Sequence, residues 1–201
     1  MTAKKQVVIA SNNGHKVEEI KTALAFDGWE FMTMSEAGIS SSPEETGTTF
    51  EENARIKARA VYELTHTAVL ADDSGLAVDA LDGAPGVYSS RYSGVEGDDA
   101  ANNAKLLKEM ADVEPEARTA RFVCILVFID DDGTETVSKG FIEGRIGYEE
   151  KGSEGFGYDP LFLPEHFDFT CTLAEVSQDE KNSISHRGNA LRELKKIFSH
   201  S

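Results

Sequence analysis

Carboxylates give the sharpest chemical signal in this sequence of 201 residues. Asp72 and Asp73 directly follow the short apolar run Ala68-Val69-Leu70-Ala71, and Glu44 and Glu45 lie in a loop just ahead of a helix. Hard oxygen ligands of this kind suit Mg2+, which keeps several waters and shares the rest of its coordination with substrate phosphates. The same pairs have a structural reading, because a chain with 36 Asp and Glu sets acids side by side by chance. Asp130-Asp131-Asp132-Gly133 in particular reads better as turn chemistry.

Other groups could work with such acids. Ser11-Asn12-Asn13-Gly14-His15-Lys16 stands between a strand and a helix, where unpaired backbone N–H groups and the positive end of the helix dipole favour a phosphate. Asn13 and Lys16 would add donors and charge. The loop lacks Walker spacing, so it reads equally as a polar turn with a surface lysine. Lys57 shares a helical face with Phe50, Ala54 and Val61, and must either snorkel to water or meet an anion. Phe156 and Tyr158 flank Gly157 in Gly155-Phe156-Gly157-Tyr158-Asp159-Pro160, where aromatics can sandwich a base or plug a turn. Ser185-His186-Arg187 opens the last helix, so side-chain donors and the helix N-terminus can converge there, although His186 alone reads as a capping or core histidine.

Alternating short strands and helices must position these groups. Val7–Ala10 reads as a buried strand, followed by the polar loop and a helix with Val17, Ile20 and Leu24 at helical spacing. Trp29–Met34 reads as a strand, and Thr49-Phe50-Glu51-Glu52 has capping-box spacing for the next helix. Ala68–Ala71 is a strand expected to end at the acids, where the chain turns. Asp99–Met110 is an amphipathic helix through Ala104 and Leu107, and Arg121–Ile129 is a long strand with a hairpin turn at Asp130–Gly133 into Thr134–Ile142. Leu161–Leu163 is a short strand, and a final helix from about Ser185 buries Ala190, Leu194 and Ile197. The result is a mixed α/β architecture. Without repeats or a separating linker, residues 1–201 are expected to be one domain.

Composition narrows the class. With 20 Lys and Arg against 36 Asp and Glu the formal charge is −16, which repels nucleic-acid polymers in the absence of a basic stripe. The 40% hydrophobic fraction, taken with 17 glycines, is that of a globular chain able to bury a real core. The longest apolar run, Phe122–Ile129, is too short to cross a membrane. No targeting segment is expected either, and a cytosolic location follows. Cys124 and Cys171 are too few and too far apart for a disulfide framework or a thiolate zinc site, and are expected to be buried or inert.

Taken in order, these segments resemble the inosine/xanthosine triphosphate pyrophosphatase family, house-cleaning hydrolases that remove deaminated purine nucleotides. The likeness spans about Val7–Phe198. Its Thr/Ser-x-Asn-x-x-Lys opening matches Ser11, Asn13 and Lys16, its Glu-x-x-Gly matches Glu44–Gly47, and its Glu-Asn-Ala-x-x-Lys-Ala matches Glu52–Ala58. Asp72–Leu76, Pro85–Arg91, Gly155–Pro160, Glu180-Lys181 and Ser185–Arg187 complete the series, with Tyr158 as in the bacterial branch.

The resemblance implies a mixed sheet in two lobes around a central nucleotide-binding cleft, usually as a homodimer. It implies Mg2+-dependent hydrolysis of ITP, dITP and XTP to the monophosphate and pyrophosphate. Asp73 would be proton acceptor and metal ligand, with Glu44 the second ligand and Glu45 its rival. Ser11, Asn12, Asn13, Gly14, His15 and Lys16 would hold phosphates, with Lys57 supporting the metal and phosphate network. Ser74 would touch the substrate. Phe156, Gly157, Tyr158 and Asp159, with Lys181, His186 and Arg187, would form the nucleoside pocket. Because stacking tolerates any base, selection of 6-oxo purines would fall to donors such as His186 and Arg187 facing the oxygen at position 6. A pyrimidine triphosphate pyrophosphatase of related fold and a non-catalytic nucleotide-binding module are the rivals. Ser185–Arg187 and Phe156–Asp159 favour the purine enzyme over the first.

Overall fold

The computed structural model describes residues 4–23, 26 and 28–199. Its elements are β1 (Lys5–Ile9), α1 (Gly14–Ala23), β2 (Trp29–Thr33), α2 (Phe50–Thr65), β3 (Ala68–Val78), α3 (Asp99–Glu109), β4 (Thr119–Ile129), β5 (Glu135–Ile146), β6 (Phe162–Pro164), α4 (Gln178–Ile184) and α5 (His186–Ser199). The strands form one six-stranded sheet in the order β2-β1-β3-β4-β5-β6. The sheet is mixed, because β1 pairs in parallel with both β2 and β3 while β5 and β6 are antiparallel.

The chain forms two compact units. The first comprises Met1–Asp73, Cys124–Gly140 and Arg187–Ser201, and the second Ser74–Val123 and Phe141–His186. The strands β3, β4 and β5 each begin in one unit and end in the other. In the first unit, Val7, Ile9, Ala68, Leu70, Leu126 and Phe128 from the strands pack with Ile20, Ala190, Leu191 and Leu194 from the helices. The second unit has its own core, in which Leu76, Val78, Phe122, Ile142 and Phe162 meet Leu106, Met110 and Leu173.

Local chemistry explains several boundaries. Thr49 caps α2, and Glu52 completes the capping box by accepting from the Thr49 backbone N–H. Asp130–Thr134 forms the expected turn, with the Gly133 N–H donating to the Asp130 carbonyl. β4 is buried on both faces over Phe122–Ile129, as its unbroken apolar run requires, whereas β5 alternates buried and exposed residues.

Three expectations change. β3 does not end at the acids: it continues to Val78, so Asp72 and Asp73 lie mid-strand. Both are buried, and opposite charges replace the water that a turn would have provided. α3 buries Asn102, Asn103 and Leu106 rather than Ala104, which is exposed, because the asparagines hydrogen-bond to neighbouring loops. α4 was not expected, although Ser177-Gln178-Asp179-Glu180 carries the capping-box spacing that starts it. On α1, Val17 is half-buried and Ile20 buried, while Leu24 lies outside the described residues. No helix among the described residues is long and apolar enough to cross a membrane.

Candidate active site

Residues of the first unit make two linked sets of charges on neighbouring residues of β3. Asp72 is fully buried and accepts from Arg187 Nε at 2.9 Å, Lys16 Nζ at 2.8 Å and the Cys124 thiol at 3.0 Å. Burial alone would raise its pKa, but Arg187 and Lys16 outweigh that and hold the carboxylate charged, well below its ordinary value. Burial and the adjacent Asp72 push the Cys124 thiol up, so it stays neutral and acts as a donor. Arg187 also pairs with Glu19, itself buried on α1.

Asp73 has the opposite character. Burial pushes its pKa from 3.8 up to about 6, against the lowering effects of Lys57 and Lys16. Lys57 projects from α2 and sets its ammonium 2.6 Å from Asp73 Oδ1 and 3.2 Å from Glu45 Oε2. Burial alone would depress the lysine, but Asp73 and Glu45 more than offset it and raise its pKa. The choice between snorkelling and meeting an anion is thus decided: Lys57 meets two. Glu44 is exposed and makes no hydrogen bond or ion pair among the described residues. The Gly47 N–H donates to Asn53 Oδ1 at 2.8 Å, and a Cβ on Gly47 would lie 2.6 Å from that oxygen, which accounts for the glycine in this loop.

The loop before α1 is organised by its own side chains. Ser11 Oγ accepts from the Asn13 N–H, and Asn13 Oδ1 accepts from the Lys16 N–H, so Asn13 is the helix cap. Asn12 Nδ2 donates to the Ser41 carbonyl. Asn12, Asn13, Gly14 and His15 are exposed at the helix N-terminus, and Lys16 turns back to Asp72.

The second unit holds Ser74, the Phe156–Asp159 loop, Lys181 and His186. Buried Asp159 accepts from Lys181 Nζ at 2.7 Å and from the Phe156 N–H at 2.9 Å, and Lys181 Nζ lies 4.6 Å from the Phe156 ring centroid. Gly155 has φ +77, and a Cβ there would lie 2.2 Å from Asp159 Oδ2. Tyr158 is a core residue whose hydroxyl donates to the Ser89 carbonyl at 2.8 Å, leaving Phe156 as the half-exposed aromatic of the loop. Ser74 is half-buried, and His186 is buried with its ring stacked on Phe122 at 4.9 Å. Arg187 belongs to the first unit, and its donors turn to Asp72 and Glu19. Arg187 thereby holds Asp72 in its charged form. Glu19 and Cys124 escaped sequence reading as parts of this set, because no local spacing connects them to Asp72.

The chain matches the Ham1 family model over residues 7–197 and belongs to that family. It is 48% identical over 199 residues to the dITP/XTP pyrophosphatase of Bacillus subtilis, covering 98% of this chain and 99% of the relative. Its fold is shared with the Ham1 protein of Staphylococcus aureus, with TM-score 0.86, 40% identity and coverage of 98% and 99% of the two chains. The same holds for a HAM1 protein from Coxiella burnetii, with TM-score 0.87, 38% identity and coverage of 98% and 100%.

Two outcomes follow from the charge arrangement. Lys57→Met removes a cation that lowers the Asp73 pKa, so in carbon NMR titrations of the metal-free protein the Asp73 carboxyl should titrate above the value of about 6 expected in the parent. An unchanged midpoint would contradict the pairing. Arg187→Met leaves Asp72 and Glu19 buried without their shared cation, and urea unfolding should show a loss of about 3–5 kcal/mol.

Proposed function

We propose that this chain hydrolyses dITP, XTP and ITP to the nucleoside monophosphate and pyrophosphate; its Bacillus subtilis relative is named a dITP/XTP pyrophosphatase, and the family resemblance implies ITP and the monophosphate product. The observation that carries the chemistry is Asp73, a buried carboxyl with a pKa near 6 beside a charged lysine. A base with a pKa near the working pH is ionised at neutrality yet retains driving force for accepting a proton. Water adds at phosphorus as the bond to the departing pyrophosphate breaks, and Asp73 takes the water's proton.

Phosphates are assigned to the first unit. Ser11, Asn13 and the exposed N-terminus of α1 offer donors, and Lys16 and Lys57 offer positive charge. The acids also fit a divalent metal, because Asp73 and Glu45 already share one cation, the Lys57 ammonium. No group of three or more His, Cys, Asp or Glu able to hold a metal occurs among the described residues. Two carboxylates would leave the rest of a Mg2+ shell to water and phosphate oxygens. Asp73 and Glu44 are the ligands we assign, since Glu44 can bind without breaking an existing ion pair. Bound Mg2+ would supply neutralisation of the phosphate charge.

The nucleoside is assigned to the second unit. Phe156 offers a ring for stacking, and Lys181, His186 and backbone N–H groups are the donors suited to an oxygen at position 6 of the base. Adenine has an amino donor there, so buried donors oppose it. The family resemblance further implies a homodimer, and a cytosolic location fits two cysteines that are both free.

Pyrophosphate release should be Mg2+-dependent, with kcat/KM for dITP and XTP exceeding that for ATP by about 10²-fold or more. Asp73→Asn should lower turnover by about 10²-fold or more while the protein still unfolds cooperatively. Glu44→Gln, and not Glu45→Gln, should raise the Mg2+ concentration giving half-maximal rate. Comparable hydrolysis of ATP by the parent would replace this reading with a general nucleotide pyrophosphatase.

A further inference from the structure

The helix α3 contributes no residue to the motifs of the family resemblance, yet it holds the centre of the loop assigned to the nucleoside. Asp99 Oδ2 accepts from the Gly157 N–H at 2.7 Å, and Asn103 Nδ2 donates to the Gly157 carbonyl at 3.1 Å. Residues four apart lie on one helical face, so a single turn of α3 grips Gly157 through both its backbone polar groups. A carbonyl can only accept, which fixes the Asn103 amide with its nitrogen toward the loop. Gly157 has φ +62 and nothing within 4 Å of where a Cβ would be, so conformation, not space, calls for glycine. The grip therefore secures a left-handed residue immediately beside Phe156.

We propose that Asp99 and Asn103 are positioning residues that set nucleoside affinity by fixing the Phe156 ring through the Gly157 backbone. This rests on the reading of the Phe156–Asp159 loop as the nucleoside site. On the far side of Gly157 the loop is already anchored, by the buried Tyr158 with its bond to Ser89 and by the Asp159–Lys181 pair. Phe156, on the near side, is joined to this anchor through its N–H to Asp159 and the approach of Lys181 to its ring. Phe156 is half-exposed while Tyr158 and Asp159 are buried, so loosening Gly157 frees the ring more than the core. A bound base must then restore the order that α3 had maintained, and that cost falls on binding. Proton transfer to Asp73 involves neither residue, so kcat is spared.

Asp99 is exposed in the first turn of α3, which makes it the better residue to change, whereas Asn103 is buried. With dITP at saturating Mg2+, Asp99→Ala should raise KM about fivefold, the effect of losing one ordering hydrogen bond. Turnover should stay within about twofold, the signature of lost binding rather than lost chemistry. Inhibition by pyrophosphate and the melting temperature should not change. Asp99→Asn keeps an acceptor for the same N–H and should restore the KM, and Asn103→Leu should repeat the KM effect with some loss of stability. An unchanged KM in Asp99→Ala, an equal weakening of pyrophosphate inhibition, or no rescue by Asp99→Asn would overturn the proposal. Calorimetric binding of deoxyinosine monophosphate keeps the two readings distinct. A parent that binds the monophosphate but does not hydrolyse dITP overturns the pyrophosphatase reading alone, and the Asp99→Ala effect on that binding then decides the grip. A parent that binds no monophosphate overturns both.

Discussion

A charged carboxylate with no access to water is the constraint around which the first unit is organised. Asp72 sits in the middle of a central strand, and an isolated ionised group there would be too costly to keep. Its charge is sustained by Arg187 from α5, Lys16 from α1 and the Cys124 thiol from β4. Glu19 then offsets the second side of Arg187. Each member satisfies another, so the set holds together or fails together, and two helices and two strands are brought into register by it.

That arrangement also explains why neighbouring aspartates differ. Successive residues of a strand point to opposite faces, so Asp72 and Asp73 meet different surroundings although they are adjacent and chemically identical. Asp72 meets enough positive charge to remain ionised, while Asp73 faces burial that Lys57 only partly offsets. Two carboxyls whose environments drive their pKa values apart are suited to different tasks: one fixes structure and the other exchanges a proton. Lys16 serves both, binding Asp72 directly and lowering the Asp73 pKa.

The second unit solves a different problem, holding an irregular glycine-containing loop in one shape. Buried polar side chains do this by pairing with backbone groups that would otherwise lack partners. Asn102 joins the Ser93 N–H to the Ser90 carbonyl, Asn103 reaches Gly157, and the Tyr158 hydroxyl closes on Ser89. Gly75 belongs to the same scheme, because a Cβ there would lie 2.3 Å from Ser89 Oγ, the acceptor for the Leu76 N–H. Polar residues on the buried face of α3 are thus anchors for loops.

The sequence by itself determined the α/β class, the capping box at Thr49–Glu52, the Asp130–Gly133 turn and the residue types available for phosphate and metal chemistry. Those features depend on side chains within a few residues of one another, where periodicity and backbone preference act directly. It also contained the start of α4 in Ser177–Glu180, a signal as local as the others. Only the tertiary structure decided that β3 runs through its acids, that Tyr158 is core while Phe156 is half-exposed, and that Arg187 serves Asp72. Electrostatics and burial act through space: Arg187 lies 115 residues from Asp72 in the chain, and Lys57 lies 16 from Asp73. No local pattern carries that information, because the energy of a buried charge is set by whichever distant partner folding delivers to it.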